Sequence, residues 1–185
     1  MPDTINNTAA EFGCVKNICR TLFEKKMNDY GTSWRVMRPS SITDQIMIKA
    51  RRIRSLEEKG GCGLVAEGVE PEYIGIINYC IIALIQVSEG CGDELPPARV
   101  MQLYDKWFDS ATSLMTAKNH DYDEAWRDML VTSFTDIILQ KLMRTRSIEL
   151  HGGKTEVSEG VAANYMDMIN YAIFALIKLG VCQRK

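Results

Sequence analysis

Apolar residues recur at helical spacing along most of the chain. Between about Thr8 and Met27 they fall at Phe12, Val15, Cys19, Leu22 and Phe23. Between about Ala98 and Ala117 they fall at Val100, Leu103, Trp107, Ala111 and Leu114. Steps of three and four residues put each set on one face of an amphipathic helix. Asp29-Tyr30-Gly31 breaks the first of these helices and Asp121-Tyr122-Asp123 the other. A second pair of helices is predicted over about Ile42–Glu58 and Phe134–Leu150. Ser41 and Ser133 open them, with Asp44 and Asp136 three residues on, a Ser-x-x-Asp form of the capping box. Gly60-Gly61 and Gly152-Gly153 suit their C-terminal stops. The third pair, Pro71–Ser88 and Ala162–Leu179, is apolar nearly all round, which marks a buried element. Nothing reads as a β-hairpin, so the predicted class is all-α.

The helices come in pairs because the chain repeats itself. A shift of 92 residues, without a gap, superposes Lys26 on Lys118, Asp29-Tyr30 on Asp121-Tyr122 and Trp34 on Trp126. Lys49, Arg52, Arg54 and Glu57 fall on Lys141, Arg144, Arg146 and Glu149. Glu67-Gly68-Val69 falls on Glu159-Gly160-Val161, and Ile77-Asn78-Tyr79 on Ile169-Asn170-Tyr171. From Lys26 to Ile85 the shift preserves 29 of 60 positions. The chain therefore reads as two helical units, 1–92 and 93–185. The join lies near Ser88–Pro97, which holds Gly90, Gly92, Pro96 and Pro97. A three-helix unit alone is small for a stable core. The predicted architecture is a tandem duplication packed as one helical bundle with pseudo-two-fold symmetry.

Composition narrows the function. The chain has 185 residues, 46% hydrophobic and 25% charged, which excludes a disordered or collagen-like polymer. Its net charge is −2, so it lacks the basic footprint of a general nucleic-acid binder. The N-terminal MPDTINNTAAEFG shows no secretory pattern. The apolar run Tyr73–Val87 has 15 residues, short of the ~18–20 that span a bilayer. Tyr165–Val181 is interrupted by Asp167, Asn170 and Lys178. No membrane association is expected. The six cysteines form no CxxC pair and no zinc spacing, so reduced thiols in a cytoplasm are the simpler expectation. His120 and His151, the two histidines, have no counterparts in the opposite unit, and there is no Walker loop and no GxGxxG.

What the repeat preserves is a set of charged and aromatic residues. Lys49 lies between Ile46 and Ile53 on the apolar stripe of its helix. Lysine is seldom buried unpaired, so Lys49 and Lys141 call for an anionic partner. That partner is either a bound anion or an acid such as Glu67 in a structural salt bridge. Arg52 and Arg144 stand one turn on, able to converge on the same spot. Arg54/Glu57 and Arg146/Glu149 read as solvated surface pairs. Trp34, Trp126, Tyr30 and Tyr122 are either loop anchors or stacking walls for a planar ligand. Asn78 and Asn170 sit in apolar runs, as core amides or as readers of a base edge. Glu67 and Glu159 precede the third helix, where an acid favours the positive helix end. Asp167 has Gly75 as its counterpart. Carboxylates that hold Mg²⁺ beside cations that grip phosphate are what phosphoryl chemistry requires. Asp29, Asp44 and Glu67 supply the acids of the first unit, and Asp121, Asp136, Glu159 and Asp167 those of the second.

Lys-x-x-Asp-Tyr-Gly-x-x-x-Trp, then Asp44-x4-Lys49-x2-Arg52, then Glu67 and Asn78-Tyr79, resembles the bacterial and phage family named nucleotide-modification-associated domain one. The resemblance covers both units and implies a role beside nucleotide modification. More distantly the arrangement is similar to the all-α nucleotide pyrophosphohydrolases, helical bundles with acidic pairs that hold Mg²⁺. That likeness implies Mg²⁺ on Glu67, Glu159 and Asp167, with Glu159, Asp167 and Lys141 catalytic in the second unit. It also implies a nucleotide held by the remaining lysine, arginine, aromatic and amide positions. The alternative is a non-catalytic helical module whose polar residues hold the duplicated bundle together and whose partner is a protein. A duplicated chain mimics a dimer of its single unit, so a monomer or a homodimer is expected.

Overall fold

All six predicted helices form. The computed structural model describes residues 8–61, 63, 68–157 and 159–184. Among these stand α1 (Thr8–Tyr30), α2 (Pro39–Glu58), α3 (Glu70–Glu89), α4 (Pro97–Tyr122), α5 (Val131–Leu150) and α6 (Val161–Lys178), and no strand. α1 and α4 continue through the Asp-Tyr pair that the sequence read as a break. Gly31, at φ +67°, ends α1, and Asp123 and Glu124, at φ +49° and +53°, end α4. Left-handed backbone suits glycine and strains the other two. Each of these helices leads into a 3-10 turn, Ser33–Val36 or Ala125–Asp128, that carries the repeated tryptophan.

The predicted capping box is not what opens α2 and α5. Both helices start two residues ahead of the serine, with Arg38 and Leu130 at the cap and no side-chain cap bond. Pro39 at the first position of α2 has no N–H to satisfy. Asp44 and Asp136 thus lie a turn inside their helices, free for other contacts.

α3 and α6 pack against each other at the centre. α2 and α5 cover them on one side and α1 and α4 on the other, each outer helix reaching the central pair. The all-round apolar pattern follows: Tyr73, Ile76, Ile77, Ile81, Tyr165, Met168, Ile169 and Ile173 have no exposed surface. α3 is long and apolar enough to cross a bilayer by length and composition, but it is mostly buried inside the bundle.

The pseudo-two-fold relation shows in reciprocal contacts across the α2–α5 seam. Tyr73 hydroxyl lies 2.7 Å from Thr135, and Thr135 donates to Glu57 at 2.8 Å. Ninety-two residues away, Tyr165 hydroxyl lies 2.7 Å from Thr43, and Thr43 donates to Glu149 at 2.8 Å. Arg54 pairs with Asp136 at 3.1 Å, and Arg146 pairs with Asp44. This corrects two readings. Arg54 and Glu57 are not a solvated pair within one helix, since each reaches across to the other unit. Asp44 and Asp136, expected among the ligand residues, meet the arginines of the opposite unit at the seam. A repeat shift cannot show this, because it aligns each residue with its copy and not with its contact.

The expectation of reduced thiols also needs correction: Cys14 and Cys182 form a disulfide, 168 residues apart in sequence. Helix α1 packs beside α6, and that proximity leaves no trace in cysteine spacing. Cys19 and Cys80 are free and fully buried, and burial pushes the Cys19 thiol up to about 12. Cys62 lies outside the described residues.

Burial raises the carboxyls of Glu57 and Glu149 above the ordinary glutamate value, against the hydrogen bonds from their threonines. An acid raised on folding contributes stability that is fully present below its unfolded value, and that stability is lost as pH rises through the folded value. A Glu57→Gln/Glu149→Gln variant therefore gains stability relative to the parent as pH climbs from about 4 to 7. Urea midpoints across that range measure it. Thr43→Val or Thr135→Val leaves a half-buried carboxylate short of a donor and costs about 1–3 kcal/mol each in the same experiment.

Candidate functional site

Each unit holds a cavity at the same place. It lies where the C-terminal turn of the first helix, the 3-10 turn and the third helix meet. In the first unit the cavity measures about 760 Å³, and Lys26, Tyr30, Trp34, Lys49, Asn78 and Tyr79 are on its wall. In the second unit it measures about 400 Å³, with Lys118, Tyr122, Trp126, Asp167, Asn170 and Tyr171 on its wall. Every residue lining the second cavity is the 92-residue counterpart of one lining the first.

The two cavities treat their lysines differently. In the first unit Glu72 is the partner, 8% exposed. It takes Lys49 at 3.4 Å and also Arg52. Lys49 lies along α3 where Gly75 has no side chain; a Cβ there would meet the lysine Cδ and Cε at 2.7 Å. In the second unit the counterpart of Glu72 is Asn164, and the acid stands one turn later, as Asp167 in the place of Gly75. Its two oxygens take Lys118 at 2.9 Å and Lys141 at 2.6 Å. Burial opposes the Asp167 charge, but the two lysine hydrogen bonds prevail and hold its carboxyl below the ordinary aspartate value. In each half one acid on the third helix meets the lysine, from positions one turn apart.

Size follows from the same exchange. Asp167 occupies space that Gly75 leaves open, and Phe174 stands where the first unit has Ile82. Phe174 stacks on Trp126 with ring centroids 4.3 Å apart and an interplanar angle of 10°. The Arg127 guanidinium lies 4.2 Å from the same ring centroid. Two groups that close to one ring must sit on opposite faces. Trp126 is therefore an anchor and offers no face to a ligand. Trp34 is 8% exposed, tilted against Phe23, and also reads as an anchor. Tyr30 and Tyr122 are 55% and 71% exposed at the cavity mouths.

Asn78 and Asn170 each donate to a carbonyl of the preceding helix, Cys19 at 3.2 Å and Ala111 at 2.8 Å. Those carbonyls are also 92 residues apart. The Asn78 oxygen accepts from the Tyr104 hydroxyl at 2.9 Å. Asn78 is thus a core amide engaged at both ends, not a base reader. The counterpart of Tyr104 is Phe12, which has no hydroxyl, and the Asn170 oxygen has no partner among the described residues.

The remaining sequence-derived candidates scatter. Asp29 and Asp121 are exposed and line neither cavity, Arg144 is exposed on α5, and Glu67 lies outside the described residues. Glu159 is exposed, and its charge is felt at Lys118. Asp167 already spends both oxygens on ammonium groups. No group of three or more metal-ligating side chains occurs among the described residues. Among the described residues the donors do not fit Mg²⁺, which needs carboxylate oxygens free to face it. Lys26, Glu72 and Tyr79, which shape the first cavity, were not among the sequence candidates. Lys26 and Tyr79 are preserved by the repeat and were legible there; Glu72 has no counterpart and left no such signal.

A family model matches the chain twice, over residues 26–87 and 118–179, again 92 residues apart. Its description is Nucleotide modification associated domain 1. The chain belongs to this family. The two matched segments take in most of the lining of both cavities and the α2–α5 seam, about two thirds of the chain. No curated protein and no solved structure matches it.

The exchanged acid makes a direct prediction. Asp167→Gly leaves Lys141 half-buried without its carboxylate and costs about 3 kcal/mol. Adding Asn164→Glu places the acid where Glu72 stands in the first unit, and most of that loss returns. Chemical denaturation of the single and double variants measures both steps.

Proposed function

We propose that this protein binds a nucleotide through its phosphate in the cavity of the first unit. The observation that carries this reading is the charge on its wall. Lys26 and Lys49 both line the cavity, and Glu72 is the one carboxylate among its described lining residues. Glu72 also answers Arg52. Two lysines and one acid thus line the wall, and Lys26 has no carboxylate within ion-pair distance among the described residues. A partly enclosed pocket with that balance concentrates anions. Tyr79, with the Lys49 ammonium 5.8 Å from its ring centre, and Tyr30 at the mouth provide flat apolar surface for a ring. An anionic head and a planar ring together describe a nucleotide, and the family description is in keeping with that class.

The chemistry supported is binding. No histidine, and no carboxylate other than Glu72, is among the lining residues of this cavity. The favoured unit is the first, whereas the acids Glu159 and Asp167 had pointed to the second. Asp167 engages both lysines there and fills space that Gly75 leaves open in the first unit.

Isothermal calorimetry with inorganic pyrophosphate and a panel of nucleoside mono- and triphosphates tests this reading. Binding is expected to weaken with added salt and to survive EDTA, because ammonium groups supply the charge. Lys26→Met and Lys49→Met each weaken it about tenfold, the loss of one charge-assisted contact. Glu72 keeps Arg52 in the second variant, so the fold tolerates it. Asp136→Asn, on the seam, changes nothing. Parent-like binding in the double lysine variant, or a flat panel, would overturn the assignment.

A further inference from the structure

In the second unit one carboxylate joins two lysines from different helices. Asp167 stands on the wall of the second cavity together with Lys118. One of its oxygens takes the Lys118 ammonium, from α4, at 2.9 Å. The other takes the Lys141 ammonium, from α5, at 2.6 Å. Burial opposes the charge on this carboxylate, and the two lysine bonds prevail over it. Asp167 is therefore ionised at neutral pH and bridges the pair.

The first unit presents the same two lysines without that bridge. Lys26 and Lys49 are the counterparts of Lys118 and Lys141, and Gly75 is the counterpart of Asp167. All three line the first cavity. A Cβ at Gly75 would lie 3.0 Å from the Lys49 Nζ, so this ammonium lies beside the place where the Asp167 side chain begins in the other unit. Its own acid holds it loosely. Glu72 gives one oxygen to Arg52 and the other to Lys49, the latter at 3.4 Å against 2.6 Å for Lys141 on Asp167. Lys26 has no carboxylate within ion-pair distance among the described residues.

We infer that the Asp167 carboxylate is a built-in substitute for the ligand anion and marks where that anion sits in the first cavity: against Gly75, bridging the Lys26 and Lys49 ammonium groups. Resting on the anion reading of the first cavity, this narrows the bound group to an oxyanion with two free oxygens on one atom, one for each lysine. The terminal phosphate of a nucleotide carries such oxygens. Gly75 and Asp167 then decide which half binds. Glycine leaves the place open. Aspartate fills it from within the chain, and a tethered carboxylate competes at a high effective concentration against any free anion. The second unit is a closed copy of the same site.

Exchanging the acid between the units tests this, with inorganic pyrophosphate as the probe and calorimetric stoichiometry as the readout. A small anion is the right probe because Phe174 narrows the second cavity whatever stands at position 167. The parent is expected to bind one pyrophosphate per chain. Gly75→Asp gives the first cavity its own anion and weakens that binding about tenfold or more. The new Cβ meets only Cδ, Cε and Nζ of Lys49, the flexible end of a side chain, so α3 keeps its place. The same loss is expected with any nucleoside triphosphate that the parent binds. Asn164→Glu with Asp167→Gly gives the second unit the acid arrangement of the first, and the stoichiometry rises to two per chain. The new glutamate can answer Lys141 and Arg144 as Glu72 answers Lys49 and Arg52, which supports folding. Pyrophosphate then raises the urea midpoint of this double variant more than that of the parent. Parent-like binding in Gly75→Asp, or no second site in the folded double variant, overturns the inference and leaves the anion reading of the first cavity standing. So does an equal loss in Gly75→Asn, which fills the same space without charge. A parent that binds neither pyrophosphate nor nucleotide overturns both.

Discussion

Two helices that are apolar nearly all round cannot be covered by the helices of their own unit. Each needs a partner on every side, and α3 and α6 supply one side for each other. This constraint makes the two units one structure. The outer helices must then straddle the central pair, which brings α2 against α5 and lets α1 reach α6. The Tyr73–Thr135–Glu57 and Tyr165–Thr43–Glu149 chains exist only because that contact exists. So does the proximity of Cys14 and Cys182. Polar residues preserved in both units are therefore divided between two tasks, closing the seam and lining the cavities.

Within that frame the halves diverge through few positions. A lysine on the buried stripe of α2 or α5 needs one acid from the third helix. Glu72 meets this need from one turn and Asp167 from the next. Gly75 is small because Lys49 lies across it, and Asp167 is acidic because Asn164 is not. The move also redistributes charge. Glu72 answers Lys49 and Arg52 and leaves Lys26 facing the first cavity. Asp167 takes Lys118, the counterpart of Lys26, together with Lys141. A further change, Ile82 to Phe174, gives Trp126 a stacked ring and reduces the space. Equivalent pockets become one large and cationic, the other small and nearly balanced.

Much of the fold was legible in the chain. Helical spacing located all six helices, and the 92-residue shift located the duplication, since both are periodic signals. Both second helices start two residues before the serines read as caps, in α2 at Pro39, which suits a first helical position. The site was less legible. Lys49 and Lys141 announced themselves as buried cations that need an acid, and they have one. Which acid was not readable: Glu67 and Glu159 are preserved by the repeat, whereas Glu72 and Asp167 are not. A repeat shift rewards positions that both halves share, and here the partners differ between the halves. Asp44 and Asp136 misled for the opposite reason. They are shared because a two-fold seam needs each of its contacts twice.

The same logic bears on the unanswered amide. Asn78 and Asn170 donate to equivalent carbonyls, so the backbone places both side chains alike. They differ only in what the opposite unit offers their oxygens, a hydroxyl from Tyr104 or a bare ring from Phe12. A phenylalanine buried beside a lone acceptor is a poor packing choice if the amide serves the core alone, since a tyrosine fits the equivalent place in the first unit. A leucine in place of the amide would also have removed the unmet bond. Neither change is present. The two-fold relation thus holds for the backbone and for the amide donor, and it fails at one acceptor because tyrosine and phenylalanine differ by a single hydroxyl.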